Sequence, residues 1–416
     1  MSTNSLLTPV QITRKALAIL HNNVVFSRGV NRQYSQEFGK VGAKIGSTVN
    51  VRKPNRYYVR TGQSAAPQGT SESYVPVSLN RQWGVDVAFS SAELTLSLDD
   101  FADRILSPAM ARIASQIDFE GLQQYKNIYN VVGTAGTTPG TSGGSATGLF
   151  QYNAPICYLN AGMMLDNNAA PRDNKRRVVI NPAAMASSVS GLSGLYNSQQ
   201  LVSEQYRAGV LGEALGFEFA MDQNVNAMSV PTALSGGTPV ATVTGGSTTV
   251  SLSGLGSSTG TIAAGTVFTV ATVYGVNPEN QVSTGQLQQF VVTADATISG
   301  NAADVTVSPT PVVAGTGVAN GTISNAASSQ TATFCAGTAV GSYAQNLAYH
   351  QDAFTLATAD LEVPNGVDFA ARESYDGISM RIVRAYDVSN DSFVCRMDVL
   401  GGWATLRPEL ACRIVG

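Results

Sequence analysis

SLDDFADRILSPAMARIASQIDFEGLQQYKNIYNVV, residues 97–132, is the stretch from which the rest of the chain is read. Apolar or small residues recur in it at Phe101, Ile105, Ala109, Ile113, Ile117, Gly121, Tyr125, Ile128 and Val132. That spacing of three to four puts them on one face of a helix. Ser97 is a candidate cap with Asp100 three residues on, and Asp99, Asp100 and Asp103 suit the positive N-terminal end. At 1.5 Å per residue such a helix runs for roughly 50 Å, longer than a compact domain needs. The spacing therefore predicts a spine with something long lying against it. Pro108, a few turns in, removes one backbone bond and predicts a kink rather than a stop.

The stretch before the spine supplies a long partner. Val49 and Val51 alternate with polar residues, followed by Pro54, Tyr57 and Val59. After a polar tip at residues 61–72, Val75, Val77, Leu79, Trp83, Val85, Val87 and Phe89 hold the odd positions, broken only at Arg81. Period two means strands with one apolar face. Residues 46–89 thus read as an extended hairpin whose arms could project roughly 40 Å at about 3.3 Å per residue. Pro54 and Pro76 suit edge strands only, and a lone ribbon of this length is marginal in water. It needs a covering surface, either its own chain or another copy. Farther upstream, Pro9 with Ile12, Ala16, Ile19 and Leu20 predicts a short amphipathic helix, too short to stand alone. It packs on its own chain or on a neighbour; sequence leaves both open.

Beyond the spine, residues 133–148 hold six Gly and no apolar pattern, which marks a link or surface loop. Arg176-Arg177-Val178-Val179-Ile180-Asn181-Pro182 reads as a buried strand stopped by Asn-Pro and followed by a helix. Gly209, Gly212 and Gly216 lead into a further strand at Phe217. From 226 to 343 the texture changes to Gly, Ser, Thr, Ala and Val, with only Glu279, Asp295 and Asp304 charged. Its short strand-like runs, and the aromatic and branched residues at 267–270 and 290–292, predict a small barrel or sandwich with its own core. Balanced charge and period-two strands then return to the end of the chain. The chain is an α+β protein with an inserted all-β module: an arm (1–45), a hairpin region (46–96), the spine (97–133), a central α+β domain (134–225 and 344–416) and the insertion (226–343).

Composition narrows the function. The 416 residues carry a formal net charge of −3, 44% hydrophobic and 13% charged residues, and 41 Gly, a strand-rich globular pattern. The negative charge excludes phosphate neutralisation as the main task of the whole chain. There is no run of about 18 apolar residues and no basic-then-apolar leader, so the expectation is a cytoplasmic chain that does not enter a membrane. Cys157, Cys335, Cys395 and Cys412 are widely separated and the only His are His21 and His350, which points to buried free thiols rather than a metal site. Gly256-Ser257-Ser258-Thr259-Gly260 matches a nucleophile pattern but lacks a strand-then-helix context. His350 has no accompanying Asp or Ser pattern and reads as a surface or helix-capping residue. No catalytic residue, metal or cofactor is expected. Between Arg28 and Arg60 lie eight basic residues against one acid, Glu37. Interleaved with Tyr34, Tyr57 and Tyr58, this run could touch nucleic acid or an acidic patch on a protein. The second is favoured because the strands carrying it also need a protein surface. Arg52, Lys53, Arg56, Tyr57, Tyr58, Arg60, Tyr74 and Trp83 are the candidate contacts with another subunit, and Ile12, Ala16, Ile19 and Leu20 the candidate partner face of the arm.

The order of these parts resembles the major capsid protein of tailed double-stranded DNA phages, the Hong Kong 97 type fold. More narrowly it is similar to the coat proteins of short-tailed phages of the P-22 type, which carry a barrel-like insertion near mid-chain. The sequence-level likeness lies at 178–223 and in His350-Gln351-Asp352-Ala353-Phe354, Asp376-Gly377-Ile378-Ser379-Met380-Arg381, Arg396-Met397-Asp398-Val399-Leu400-Gly401-Gly402 and Leu406-Arg407-Pro408-Glu409-Leu410-Ala411. The resemblance implies a subunit of hexamers and pentamers that close into an icosahedral shell. It implies a hairpin lying over a neighbour, an arm engaging a scaffolding protein, a portal, and double-stranded DNA packaged inside without sequence specificity. It places the chain in the virion, after assembly in the host cytoplasm. The insertion departs from the family in being nearly free of charge, and no Lys-Asn crosslinking pair can be placed. Two other readings stand beside it: a surface fibre or adhesin, suggested by the Lys-free Gly/Ser/Thr-rich region, and a hydrolase resting on Ser258.

Overall fold

The structure is a computed structural model that describes residues 9–33, 48–55, 57, 59, 62–65, 67, 69, 72–90, 106–141, 148–153, 155–192, 212–230, 237–311, 321–322, 327–335, 341–388 and 390–416. It divides into two compact units.

The first unit comprises Met1–Arg52, Tyr74–Gly121 and Phe354–Leu406. Its centre is an antiparallel sheet around the long strand Ser392–Thr405. Asp398 pairs with Gly84 on one flank and Arg381 on the other; farther along, Leu400 pairs with Gln82 and Ala359. The strand Arg81–Ser90 therefore belongs to this sheet over its whole length, and the hairpin proper is shorter than the alternation predicts. It joins Thr48–Arg52 to Tyr74–Ser78, in register from Thr48 opposite Ser78 to Arg52 opposite Tyr74. Both segments are strands, so period two runs through the corner at Leu79-Asn80 without a mark. The root of the hairpin is covered by its own unit, where Val51 and Val77 pack with Ala357, Ala404 and Leu406.

Helix α1, Pro9–Asn23, lies on strands Phe369–Tyr375 and Ile378–Asp387. Ala16 and Leu20 are fully buried there, and the flank of the helix is tied by His21 Nε2 to Asp376 Oδ2 at 2.9 Å. Arg32 reaches the same carboxylate at 2.7 Å. Helix α2, Ser107–Leu122, is the described part of the spine; residues 97–105, with the predicted cap and acidic first turn, lie outside the described residues. Pro108 is the second residue of α2 as described and follows Leu106, which is itself helical; the turns before it, on which the expected kink depends, lie outside the described residues. The chain also leaves the α-helix earlier than the periodicity suggests, passing into a 3₁₀ turn at Gln123–Asn127 and a short strand at Val131–Val132. Asp118, buried on α2, accepts three backbone N–H bonds: from Val25 (2.6 Å), Phe26 (3.2 Å) and Ser27 (2.9 Å). It fixes the chain leaving α1 and sets Phe26 against the rings of Phe354 and Trp403.

The second unit comprises Lys53–Ser73, Leu122–Ala353 and Arg407–Gly416. A mixed seven-stranded sheet runs in the order Val131–Val132, Ala411–Val415, Gly341–His350, Arg176–Ile180, Phe217–Met221, Glu213–Ala214, with Ala227–Val230 also paired to Gly341–His350. Helix α3, Ile156–Asn167, packs on Ala411–Val415. Helix α4, Pro182–Leu192, starts where Asn181 Oδ1 accepts the Ala184 N–H at 2.8 Å, the Asn-Pro stop read from the sequence.

The insertion is a closed six-stranded antiparallel barrel. Going round, Ser283–Val292 pairs with Ala303–Ser308, then come Thr249–Leu255, Gly237–Val243, Ala327–Phe334 and Val267–Val276, which pairs back to Ser283–Val292. Closure leaves no free edge. Its interior is filled by Val243, Val250, Leu252, Phe268, Val270, Phe290, Val292 and Val305.

Candidate assembly surfaces

Among the described residues no group of three or more His, Cys, Asp or Glu is gathered for a metal ion, and no helix is long and apolar enough to cross a membrane. Ser258 sits in a turn between strands Thr249–Leu255 and Thr259–Ile262, where Ser257 Oγ donates to Thr259 O at 2.8 Å. A strand–turn–strand does not raise a serine onto a helix N-terminus, so the nucleophile pattern is a matter of spelling. Of the two roles read for His350, surface and helix-capping, the structure gives the second: it is 1% exposed at a strand end and stands directly before the 3₁₀ turn Gln351–Ala353. Its Nε2 is 2.9 Å from Asp173 Oδ1, and its Nδ1 accepts the Asp352 N–H at 3.3 Å. All four cysteines are free and buried. Burial pushes the Cys157 and Cys335 thiols up to about 12 and raises Cys412 and Cys395 as well, so none is a thiolate at neutral pH.

What the chain offers instead is apolar surface with nothing of its own unit over it. At the hairpin, Tyr57 is 60% exposed, Val59 93% and Tyr74 63%. Arg52 is exposed and Lys53 half-buried, its N–H bonded to Ser73 O at 2.8 Å. Arg56, Tyr58 and Arg60 lie outside the described residues. Trp83 does not fit the contact role read for it. It is 5% exposed, with Gly401 beneath its ring, so close that a Cβ there would stand 2.7 Å from Cζ3. Alternation correctly assigns Trp83 to an apolar face, but its own sheet covers that face. The same holds for the arm: Ala16 and Leu20 are buried and Ile12 and Ile19 half-buried against the first unit, so this stripe is not a free partner face.

Two apolar surfaces escape the sequence reading. One is the turn between Ile378–Asp387 and Ser392–Thr405, where Val388 is 81% exposed beside Tyr386. The Tyr386 hydroxyl donates to Asp391 at 2.8 Å, and its ring lies 4.9 Å from that of Phe393. The other is α3, on which Ile156, Leu159 and Met163 are exposed at spacings of three and four while Cys157, Tyr158, Ala161 and Leu165 are buried. A signal existed: ICYLNAGMMLDN is apolar on both faces, more than one sheet can cover.

The family model described as P22 coat protein, gene protein 5, matches residues 1–416. No curated protein matches. Among solved structures, that of Mycobacterium phage Che8 is similar at 12% identity and a TM-score of 0.47, covering 94% of this chain and 90% of that one. The capsid structure of the cyanophage P-SCSP1u follows at 10% identity and 0.42, covering 89% and 83%. The satellite phage P4 procapsid including size determination (Sid) protein stands at 9% identity and 0.37, covering 100% and 91%. At such similarities the assignment rests on the family match.

Proposed function

The chain belongs to the P22 coat protein family and is the major capsid protein of a tailed phage, and we propose that its copies form hexamers and pentamers closing into an icosahedral head around double-stranded DNA. The single observation that carries the assignment is the family match over all 416 residues. The physical support is the exposed apolar surface at Tyr57, Val59, Tyr74 and Val388. Covering apolar surface with sister copies stabilises at about 25 cal/mol per Å², and contacts too weak to hold one pair add up in a closed lattice. The hairpin tip is the proposed contact with a neighbouring subunit, using Arg52, Lys53, Arg56, Tyr57, Tyr58, Arg60 and Tyr74. A scaffolding protein and a portal are proposed partners during assembly. Contact with DNA is proposed to be sequence-independent and confined to local basic stretches, because the chain as a whole is negatively charged.

The test is electron microscopy of the full chain produced with the genes that neighbour its own. Closed shells of uniform size support the reading; isolated fibres or dispersed monomers would overturn it. A second arm changes Tyr57, Val59 and Tyr74 together to Ser. Because these side chains are exposed, monomer stability should stay within about 0.5 kcal/mol while shell yield falls at least tenfold.

A further inference from the structure

The barrel and the mixed sheet of the second unit meet at a junction built around one cation. Arg413, on the strand Ala411–Val415, is fully buried. Its guanidinium reaches no carboxylate among the described residues. Instead Nε and Nη2 donate to Ile128 O at 2.8 and 2.5 Å, and Nη1 donates to Gly265 O at 2.8 Å and to Gln345 Oε1 at 3.4 Å. The face of Tyr125 lies 5.5 Å from its Cζ. These acceptors come from three separate places: the turn after α2, the barrel loop at Gly265, and the strand by which the chain leaves the barrel.

Two further features of the junction stand independently of Arg413. Gln289, on the barrel strand Ser283–Val292, is 2% exposed and treats Val131 as a strand partner would. Its Oε1 accepts the Val131 N–H at 2.6 Å and its Nε2 donates to Val131 O at 2.8 Å. One side chain thereby caps the edge of the mixed sheet. Gly265 has φ +94, and a Cβ on it would come within 3.3 Å of the Lys126 backbone, so the barrel loop approaches as closely as glycine allows. Around these polar contacts Val267, Val291 and Cys335, on the outside of the barrel, pack against Tyr129, Val131 and Val415.

We propose that Arg413 is a positioning residue that latches the inserted barrel to the mixed sheet, so that the two move as one rigid body. The argument lies in the directions of the bonds. A guanidinium with five donors in a planar fork can satisfy acceptors converging from three segments at once. A buried cation held only by neutral acceptors is a poor way to add stability alone, since hydrophobic residues of equal volume avoid the desolvation. Retained polar groups of this kind specify one arrangement among several that apolar packing would tolerate. This inference does not depend on the capsid reading, because it concerns a single chain.

The test is hydrogen exchange by mass spectrometry on the full chain as a soluble monomer, comparing Arg413→Lys, Arg413→Met and Gln289→Met with the parent. The latch predicts that exchange of peptides spanning 128–132 and 265–270 rises about tenfold or more. Peptides from the barrel interior (249–255) and from the far side of the sheet (176–180) should be unchanged. Arg413→Lys should behave like Arg413→Met, because an ammonium keeps the charge but not the fork. If the Arg413 variants do not accumulate, Gln289→Met carries the same prediction with no buried charge involved. An unchanged junction in a soluble variant, or a rise spread evenly over the whole unit, would overturn the proposal.

Discussion

Asp118 shows how much of this fold hangs on single side chains that periodicity does not see. Its carboxylate holds three consecutive backbone N–H groups, one with a charge-assisted bond of 2.6 Å. Asp118→Asn keeps the shape and removes the charge, replacing one acceptor oxygen with a donor. Urea unfolding should show a loss of about 1–3 kcal/mol. Nearby, Gly121 has Trp403 and Phe26 where a Cβ would stand, at 2.5 and 2.8 Å. Gly121→Ala should lose a similar amount through overpacking, although alanine is the better helix former. Neither residue was legible in the sequence, which shows Asp118 as one polar position on a helix and Gly121 as one small residue on its apolar face. The partners of both are remote along the chain. The thiols were legible, since four unpaired and scattered cysteines read as buried. Their consequence is a pH dependence. A thiol raised from 9.0 to about 12 by burial stays protonated in the folded protein while the unfolded chain ionises. Its contribution is intact below pH 9 and lost as pH rises toward 12, at about 1.4 kcal/mol per pH unit for each such thiol. Cys335→Ala should flatten the fall in stability between pH 9 and 11 by that slope, and a thiol reagent at pH 8 should label none of the four until the chain unfolds.

At the scale of elements, the sequence reports type more faithfully than extent. Alternation from Val75 to Phe89 marks strands correctly, but it cannot tell a hairpin arm from a sheet member, since both bury one face. Arg81–Ser90 proves to be the second kind, and Trp83 goes with it. The 3.6-residue period likewise persists beyond Leu122, because a 3₁₀ turn and a two-residue strand can still bury Tyr125, Ile128 and Val132 on one side. In the barrel, Val267-Phe268 and Phe290-Val291-Val292 break alternation, the mark of strands covered on both faces. That run predicts a core. Read further, it also announces the docking face, for Phe268 and Phe290 fill the barrel while Val267 and Val291 meet the mixed sheet. Phe268→Ala should lose about 3–5 kcal/mol, seen as early melting of the barrel. Deleting residues 62–71 should have the opposite profile. The paired segments Thr48–Arg52 and Tyr74–Ser78 keep their ladder, so a folded monomer remains, and assembly is what suffers.

For the whole molecule, the order of parts carried more information than any motif: arm, hairpin, spine, α+β domain and barrel together resemble a capsid subunit where no short signature would. What the sequence could not show is which apolar face is covered by its own chain and which awaits another. Burial answers that for α1 and Trp83, both covered, and for Tyr57, Val59, Tyr74 and Val388, which are not. The barrel adds a molecular property of its own. With Glu279, Asp295 and Asp304 as its only charges, any contact it makes between copies should survive 1 M salt, where screening reaches about 3 Å, whereas contacts of the basic hairpin should weaken. The central claim is that sister copies cover the exposed hairpin surface. Cryo-electron microscopy of the assembled particle, read at Tyr57, Val59 and Tyr74, tests it most directly. The account predicts a closed shell in which these side chains are buried against a neighbouring subunit; a closed shell that leaves all three in solvent would contradict it.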